Sequence, residues 1–462
     1  MPESTFVVSI YGLGYQIRFT TFLSSIHLIS FALLSSVLSR FRWSSLRLLL
    51  TSGFFLVAFL GLNPAAVAQY TVRGTITDKD TKEVLPFVSI SVAGTTNGTA
   101  SNANGEFTLV LKDVPRTLIF SELGHLRDTV RVTQANYTTP LQVALAPASV
   151  ALPEVKVNSY PFQLVEKAFR QLQSNYSKKF YGKAYYRQLT RISNEPTELQ
   201  EVVWNVKSNP ARIEGTTVAQ GRYAAKQAAT AFSNFSIYTR RYGLYDAGMD
   251  STKSLALLSP NTVKNYLLEL KGLLDQDSST IAEISFETRP EIKYQSSGTI
   301  WIDIETNKIV RYKMMQPSFT ATSSNPNQKF KNPKLSVDMV FQPGDAPVSP
   351  LDHMQVDLTA DLETGTKTGT VPLSVTSFTY FYDTSTKPTN LPYARASLDD
   401  RDLEIIKATK YDPEFWANNP VVQRTPVEDE VVASFEKKGA FGTMVKKAAP
   451  KADVRIRDGK IE

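Results

Sequence analysis

"GTTNGTASNANGEFTLVL", residues 94–111, sets three glycines and three asparagines ahead of a clean apolar alternation. Glycine and asparagine adopt positive backbone dihedrals at low cost, so the first eleven residues read as successive sharp turns. Phe107, Leu109 and Leu111 then fall on one face of a strand, with Glu106, Thr108 and Val110 on the other. Working outward, "YTVRGTIT" and "PFVSISVAG" alternate before this stretch, and "TLIFSELG", "LRDTVRVT" and "LQVALAP" supply strands after it. Short strands at this spacing predict an antiparallel β-sandwich of about seven strands over residues 69–148.

The sandwich stretch, "VRGTITDKDTKEVLPFVSISVAGTTNGTASNANGEFTLVL" with "TLIFSELGH" and "LQVALAP", resembles the carboxypeptidase-D-type regulatory domain, a transthyretin-like sandwich. Two positions depart from the family pattern: His125 stands where tyrosine usually follows the glycine, and Asn102 where aspartate is common. The resemblance implies a non-catalytic module, found beside metallopeptidases or leading envelope proteins of Bacteroidota-like bacteria. On that reading the quoted loop is a corner. The competing reading is an oxygen-lined calcium loop built from Asn102, Asn104 and Glu106, which lacks the dense carboxylates of such sites.

Residues 149–160, with "ASVALPEVKV", read as a Pro/Ala-rich linker, and the pattern then changes period. Phe162, Val165, Phe169, Leu172 and Tyr176 recur at three or four, which predicts an amphipathic helix with Pro161 in its first turn. Strand alternation returns in "GKAYYRQLTRI" and "ELQEVVWNVKS" and continues to "PLSVTSFTYFYD". "NYLLELKGLLDQ" reads as strand rather than helix, since Tyr266, Leu268 and Leu270 face away from Glu269 and Lys271. "GTIWIDIETNKIVRYKMM" reads as a hairpin with Thr306–Asn307 at its tip. The expected fold is therefore mainly β. A seven-stranded antiparallel sandwich precedes a larger β-rich α+β domain, residues 161–436, with an antiparallel sheet and one main helix. "SYPFQLVEKAFRQLQSNY", "ISFETRP", "GTIWIDIETNKIV" and "YDPEFWANNPVVQRTPVEDEVV" resemble a Bacteroidota-type envelope family. Its larger members end in an outer-membrane barrel, which is not carried over here. "GTIWIDIETNKIV" is also loosely similar to sheet segments of lipoprotein carriers.

The start of the chain reads as an address rather than fold. Arg40, Arg42 and Arg47 precede an apolar run from Leu48 to Leu62, and Ala66 and Ala68 stand ahead of Gln69. That order marks a secretory signal peptide over residues 1–68, with an over-long start, and export to the periplasm or outer-membrane surface. The run is short for a span of about 20 residues, although a retained anchor helix is the alternative. The formal charge is +7. Residues 1–68 hold four Arg and one Glu, and residues 437–462 hold eight Lys and Arg against three acids. The body between them is near neutral, so nucleic acid is not an expected partner, and residues 437–462 read as a basic, solvated tail.

The 462 residues contain no cysteine and three histidines. Thiolate chemistry and disulfides are thereby excluded. A zinc carboxypeptidase needs a His-x-x-Glu pair and a distant third ligand, whereas "LRD" follows His125 and "MQV" follows His353. No Gly-x-Ser-x-Gly elbow or phosphate loop occurs, so neither a serine hydrolase nor a nucleotide site is expected. Ser434 and Lys437 form a Ser-x-x-Lys pair without its companion motifs. Carboxylate chemistry stays open: Asp303 and Glu305 stand at i and i+2 beside Trp301, a set that would flank a sugar ring or serve as a solvated face. The clusters "AYY" and "FTYFYD" suit a glycan platform and strand packing alike. No catalytic, cofactor or metal residue is assigned. The leading expectation is a non-enzymatic envelope scaffold that binds an envelope protein or a lipid. A carbohydrate-binding or carbohydrate-active protein is the alternative, and a periplasmic lipid carrier the third reading.

Overall fold

The computed structural model describes residues 69–151, 159–225, 231–232, 234–241, 243–245, 256–319, 327–364, 369–397, 400–419, 421–437, 441, 451–452, 456–457 and 460–461. The expected signal peptide and most of the expected basic tail lie outside them.

The opening loop turns as its residues require. Gly94 and Gly105 have φ of 72° and 71°, where any side chain is strained. Between them, Asn102 Oδ1 accepts hydrogen bonds from the backbone N–H groups of Asn104 (2.9 Å) and Glu106 (3.0 Å). Its Nδ2 donates to Glu106 Oε2 at 3.0 Å and to the Arg424 carbonyl at 3.3 Å. Asn102 is thus a turn cap with its oxygen already committed, which favours the corner over the calcium loop.

Seven strands form two packed sheets: β1 (Tyr70–Asp78), β2 (Ser89–Val92), β3 (Gly98–Ala100), β4 (Glu106–Leu111), β5 (Arg116–Ser121), β6 (Asp128–Val132) and β7 (Leu141–Leu145). Their orders are β4-β1-β7 and β3-β2-β5-β6. Val72, Ile76, Phe107, Leu109, Leu118, Phe120 and Val143 fill the space between them, so the 107/109/111 face read from the sequence is the buried one. One pair departs from the antiparallel expectation: β1 and β7 run parallel, with Gly74 opposite Leu141. A chain that returns to β1 after crossing the other sheet through β5 and β6 can arrive in that sense.

The stretch read as a linker contains β8 (Ser149–Ala151), which joins the edge of a second sheet. The main helix follows as α1 (Tyr160–Ser174), then β9 (Phe180–Ile192), β10 (Glu195–Asn209), β11 (Arg212–Ala225) and the short β12 (Ala231–Phe232). Single turns α2 (Ile237–Arg240) and α3 (Thr262–Asn265) lead to β13 (Tyr266–Gln276) and β14 (Ser279–Thr288). β15 (Ser297–Asp303), β16 (Ile309–Gln316), β17 (Gln328–Phe341), β18 (Leu351–Thr364) and β19 (Thr370–Ser385) continue the meander. Helices α4 (Asp402–Ala408), α5 (Pro413–Asn418) and α6 (Pro426–Lys437) come last. The "NYLLELKGLLDQ" segment is strand, as its alternation requires.

Eleven strands make the second sheet, in the order β11-β10-β9-β19-β18-β17-β16-β15-β14-β13-β8. Pairing of β9 with β19 closes two meanders into one antiparallel surface, and its register sorts the side chains into two faces. Ile284, Ile300, Tyr312, Met339, Met354, Tyr186 and Val202 line up across one face. That face is apolar and packs against α1, the α2 turn and α4 through Leu164, Val165, Ala168, Ile237, Leu403 and Ile406. The helix is rotated relative to the expected stripe. Val165 and Leu172 are buried, but Leu164 and Ala168 complete the buried side, while Phe169 and Tyr176 stack on Tyr245 at 5.2 and 5.5 Å. Glu283, Trp301, Arg311, Val340, His353, Tyr380, Tyr185 and Val203 form the next row, on the opposite face.

Candidate functional site

The sandwich docks on the face that carries His353 and Tyr380. Ser89 Oγ donates to Asp352 Oδ1 (3.1 Å), and Gln276 Nε2 donates to the Glu122 carbonyl (2.9 Å) while its Oε1 accepts from the Gly124 N–H (3.2 Å). The Arg127 N–H donates to Asp277 Oδ1 (3.0 Å), and the Asp383 N–H to the Thr96 carbonyl (3.3 Å). Gly98 makes this approach possible. A Cβ there would lie 2.6 Å from the Ile90 carbonyl oxygen and 2.9 Å from Tyr380 Oη.

Between these anchor points lies a cleft of about 920 Å³. Ser89, Ser91 and Asn97 form its roof, and Arg311, Asp338 and His353 part of its floor. Seven carboxylates line it: Glu122, Asp277, Asp303, Glu305, Asp338, Asp345 and Asp352. Against them stand Arg127, Lys308 and Arg311, each already engaged. Arg311 forks onto Asp338 (2.9 and 2.7 Å), Arg127 Nε lies 3.7 Å from Asp277, and Lys308 donates to the Gly344 carbonyl. The volume suits a polar ligand or an extended chain segment.

The acid pair read from the sequence lies at this cleft, but in structural roles. Asp303 is the last residue of β15, and its Oδ1 accepts the N–H groups of Glu305 (3.1 Å) and Thr306 (2.8 Å), which closes the hairpin. Exposed Glu305 accepts the Thr280 N–H at 3.1 Å. The strand ends before Glu305, so the two acids share no strand face. Trp301 offers no open ring face on that side either, since the Arg311 guanidinium sits 5.5 Å from its centroid. Tyr185, Tyr186, Phe378, Tyr380 and Phe381 are all buried, and half-buried Tyr382 stacks on Tyr380 with Lys183 over its ring, so the two aromatic clusters are taken up largely by packing.

Each histidine of the described chain is held by carboxylate. His353 Nδ1 contacts Asp352 Oδ2 at 2.7 Å, with its ring near Phe378 and Phe87. Ser89 donates to the other oxygen of the same carboxylate, so Asp352 stands between hydroxyl and imidazole. Activation of a serine requires the imidazole itself on the hydroxyl, and this order does not provide it. In the sandwich, His125 Nδ1 meets Glu122 Oε2 at 2.6 Å and Nε2 meets Asp78 Oδ2 at 2.9 Å. The bond to Glu122 raises the imidazole pKa against the opposing effect of burial, with Asp78 adding to the rise. No group of three or more potential metal ligands occurs among the described residues.

Sequence reasoning missed a second polar feature on this face. Glu201 and Arg222 are fully buried side by side on β10 and β11, with Arg187 next to them on β9. Arg222 Nε donates to Glu201 Oε2 (2.6 Å), Arg187 Nε donates to Glu201 Oε1 (3.0 Å), and Tyr185 Oη also donates to Glu201. Arg187 and Arg222 then reach Glu428 (3.0 Å) and Glu436 (3.3 Å), which fastens α6 over the sheet. Burial pushes the Glu201 carboxyl up, but the two guanidiniums outweigh it and hold the group at about 2. The available signal was faint: Arg187, Glu201 and Arg222 are charges in mid-strand, on faces that also carry Lys183, Thr197 and Gln220.

No helix among the described residues is long and apolar enough to cross a membrane. Among curated proteins none matches the chain. Several solved structures resemble about half of it. A DUF1329 family protein from Desulfovibrio piger shares 9% identity over 50% of this chain and 95% of its own, with a TM-score of 0.23. A LolA superfamily protein from Nitrosomonas europaea shares 12% over 50% and 94%, with a TM-score of 0.19. The MucA/MucB complex of Pseudomonas aeruginosa shares 10% over 46% and 93%, with a TM-score of 0.17. At such scores the likeness carries no argument about this chain. The module that roofs the cleft is different, because its strands, its corner glycines and its sequence agree: residues 72–157 match the family model of the CarboxypepD_reg-like domain.

Proposed function

We propose that this chain is a non-catalytic binding protein of the cell envelope, which receives a segment of a partner protein in the cleft between the sandwich and the sheet. Export rests on the basic, apolar and small-residue order of residues 40–68. The observation that carries the binding reading is the contrast between the two faces of the large sheet. Its apolar face is packed by the chain's own side chains, with a void of about 10 Å³ beside Leu172 and Phe341, and the space of about 810 Å³ at its edge beside Phe319 and Leu373 is lined largely by polar residues such as Asn194, Lys334 and Asp361. The opposite face keeps a space of about 920 Å³, lined by seven carboxylates as well as apolar side chains, under a regulatory-like module. An acyl chain would need apolar room of the first kind, whereas a peptide segment finds hydrogen-bonding walls in the second.

The test is site-specific photo-crosslinking in cells from Ser91, inside the cleft, and from Lys167 on the exposed side of α1. A discrete protein adduct from Ser91 alone is expected. An acyl lipid recovered one per chain with the purified protein, and no adduct from Ser91, would replace this reading with lipid carriage.

A further inference from the structure

Asp352 and His353 are neighbours in β18, where simple alternation would send their side chains to opposite faces. The register with β17 prevents this. His353 pairs with Val340 and Leu351 with Phe341, which leaves Asp352 as the extra residue of a β-bulge. Both side chains therefore meet at the cleft, with His353 Nδ1 2.7 Å from Asp352 Oδ2. A carboxylate only accepts, so the Nδ1–H donates to it, and Nε2 of the uncharged ring is left as an acceptor. Tyr380 stands directly opposite His353 on β19. Its ring packs against the sandwich, and Gly98 leaves room for its Oη.

His353 is 7% exposed and Tyr380 4%, yet each keeps one polar atom unused. His353 Nε2 and Tyr380 Oη have no hydrogen-bond partner among the described residues, and neither atom is sealed from solvent. Their small exposed surface opens on the cleft that both side chains line. Burial, with the Asp352 charge adding to it, raises the Tyr380 pKa well above its usual value, so the phenol stays uncharged. The other polar groups of the lining are mostly engaged. Asp338 holds Arg311, Asp277 holds Arg127 and Glu122 holds His125. Asn97, Gln276, Gln342 and Gln355 donate to other groups of the fold. The remaining hydroxyls are neutral and accept as readily as they donate. Asp303, Glu305 and Asp345 have no cation among the described residues, and against them stands Lys308, which donates to the Gly344 carbonyl.

We propose that the cleft takes a lysine side chain of the partner segment, whose ammonium donates to His353 Nε2 and Tyr380 Oη within an acidic surround. This rests on the reading of the cleft as a site for a protein segment, and it gives that segment its chemistry: basic, not acidic or neutral. An ammonium carries three donors and no acceptor, which matches two unused acceptors and a surplus of carboxylates. A carboxylate or phosphate would find only the phenol as a free donor and would be repelled by the same surround.

The test titrates the full chain at pH 8 with three otherwise identical glycine/serine peptides that carry a central lysine, an acetylated lysine or a glutamate. The imidazole ring signals are followed by NMR, with those of His353 assigned from His353→Gln. Only the lysine peptide should shift the His353 signals in a saturable way. Tyr380→Phe removes an Oη that has no native partner, so its melting temperature should hold while affinity for the lysine peptide falls about tenfold. Glu305→Gln, at an exposed position, should weaken binding about threefold at low salt. Equal binding of the acetylated peptide, no saturable shift from the lysine peptide, or unchanged affinity in both variants would each overturn the proposal. The crosslink from Ser91 separates this inference from the reading beneath it. An adduct whose captured segment holds no lysine overturns the inference and leaves the protein site standing. No adduct, with the lysine peptide still bound, removes the partner reading and leaves the ammonium site.

Discussion

Arg222→Met isolates the buried ionic cluster that fastens α6 to the large sheet. Methionine keeps much of the aliphatic volume between the Trp416 and Phe441 rings, which lie 4.5 and 4.9 Å from the guanidinium carbon. It removes the cation, leaving fully buried Glu201 with Arg187 as its remaining strong partner and Glu436 with none in this cluster. Breaking a buried pair from one side costs about 3–5 kcal/mol, because the other charge stays desolvated. Removing both charges at once is far less costly, so Arg222→Met with Glu201→Gln should destabilise by less than the sum of the single changes, with a coupling of about 1–3 kcal/mol. The pH dependence follows. The Glu201 carboxyl is held at about 2, below its unfolded value of 4.5. Its contribution is therefore fully present above pH 4.5 and is lost as pH falls through about 2. With one guanidinium gone, the native value rises and the acid limb should move to higher pH. Urea denaturation of the four proteins of the cycle at pH 7 and pH 4 is the assay. A single-variant cost below about 1 kcal/mol, or strict additivity in the double variant, would show that the cluster does not hold α6 in place.

Three further outcomes are expected. His125, raised above its unfolded 6.5 by Glu122 and Asp78, stabilises the sandwich below pH 6.5, and this contribution is lost as pH rises through the folded value. The fall in melting temperature from pH 5 to pH 9 should therefore shrink in His125→Gln, and an unchanged fall would refute the assignment. Glu198 is pushed up to about 7 by burial, against hydrogen bonds from Gln200, Thr190 and the Phe232 N–H. The native state then binds a proton that the unfolded state has released, so stability should decline between pH 4.5 and 7. A carboxyl signal for Glu198 titrating near 4 in carbon-detected NMR would contradict this. Gly98→Val should cost about 1–3 kcal/mol by driving a side chain against Tyr380 and the Ile90 carbonyl, and should raise protease sensitivity between the sandwich and the sheet. Wild-type resistance in that variant would mean that the modules tolerate a looser contact.

Short-range patterns in this chain are legible because they depend on one residue's own stereochemistry or on a period of two. Gly94 and Gly105 had to turn, Phe107 and Leu109 had to face inward, and Tyr266, Leu268 and Leu270 fixed a strand against helical propensity. The parallel pairing of β1 with β7 was not legible, since nothing local to either strand encodes the path between them. The Asp303–Glu305 pair misled for a related reason. Alternation at i and i+2 holds only while the strand lasts, and the Asp303 side chain itself ends it by capping the turn. The cleft and the Arg187–Glu201–Arg222 cluster are products of pairing between distant strands, so only the mid-strand charges hinted at them.

The same pairing explains why the recognition surfaces fall where they do. A sheet of eleven strands has two faces, and α1, α4 and the segment around Phe232 and Tyr238 have closed the apolar one. What remains for contact is the face whose row runs through Arg311, His353, Tyr380 and Tyr185; Phe378, Tyr380 and Tyr185 pack dry with Ala100 and Phe87 of the sandwich, while the part around Arg311 and Asp338 is polar. Anchoring the sandwich through that apolar patch and a few hydrogen bonds, with Gly98 permitting close approach to Tyr380, leaves the polar part of the interface held apart. A module docked on the apolar part of a face whose remainder is polar therefore leaves the cleft over that remainder. Filling the roof–floor gap with a larger apolar side chain at Ser89 should narrow the cleft and abolish crosslinking from Ser91, while the apolar core on the other face stays intact.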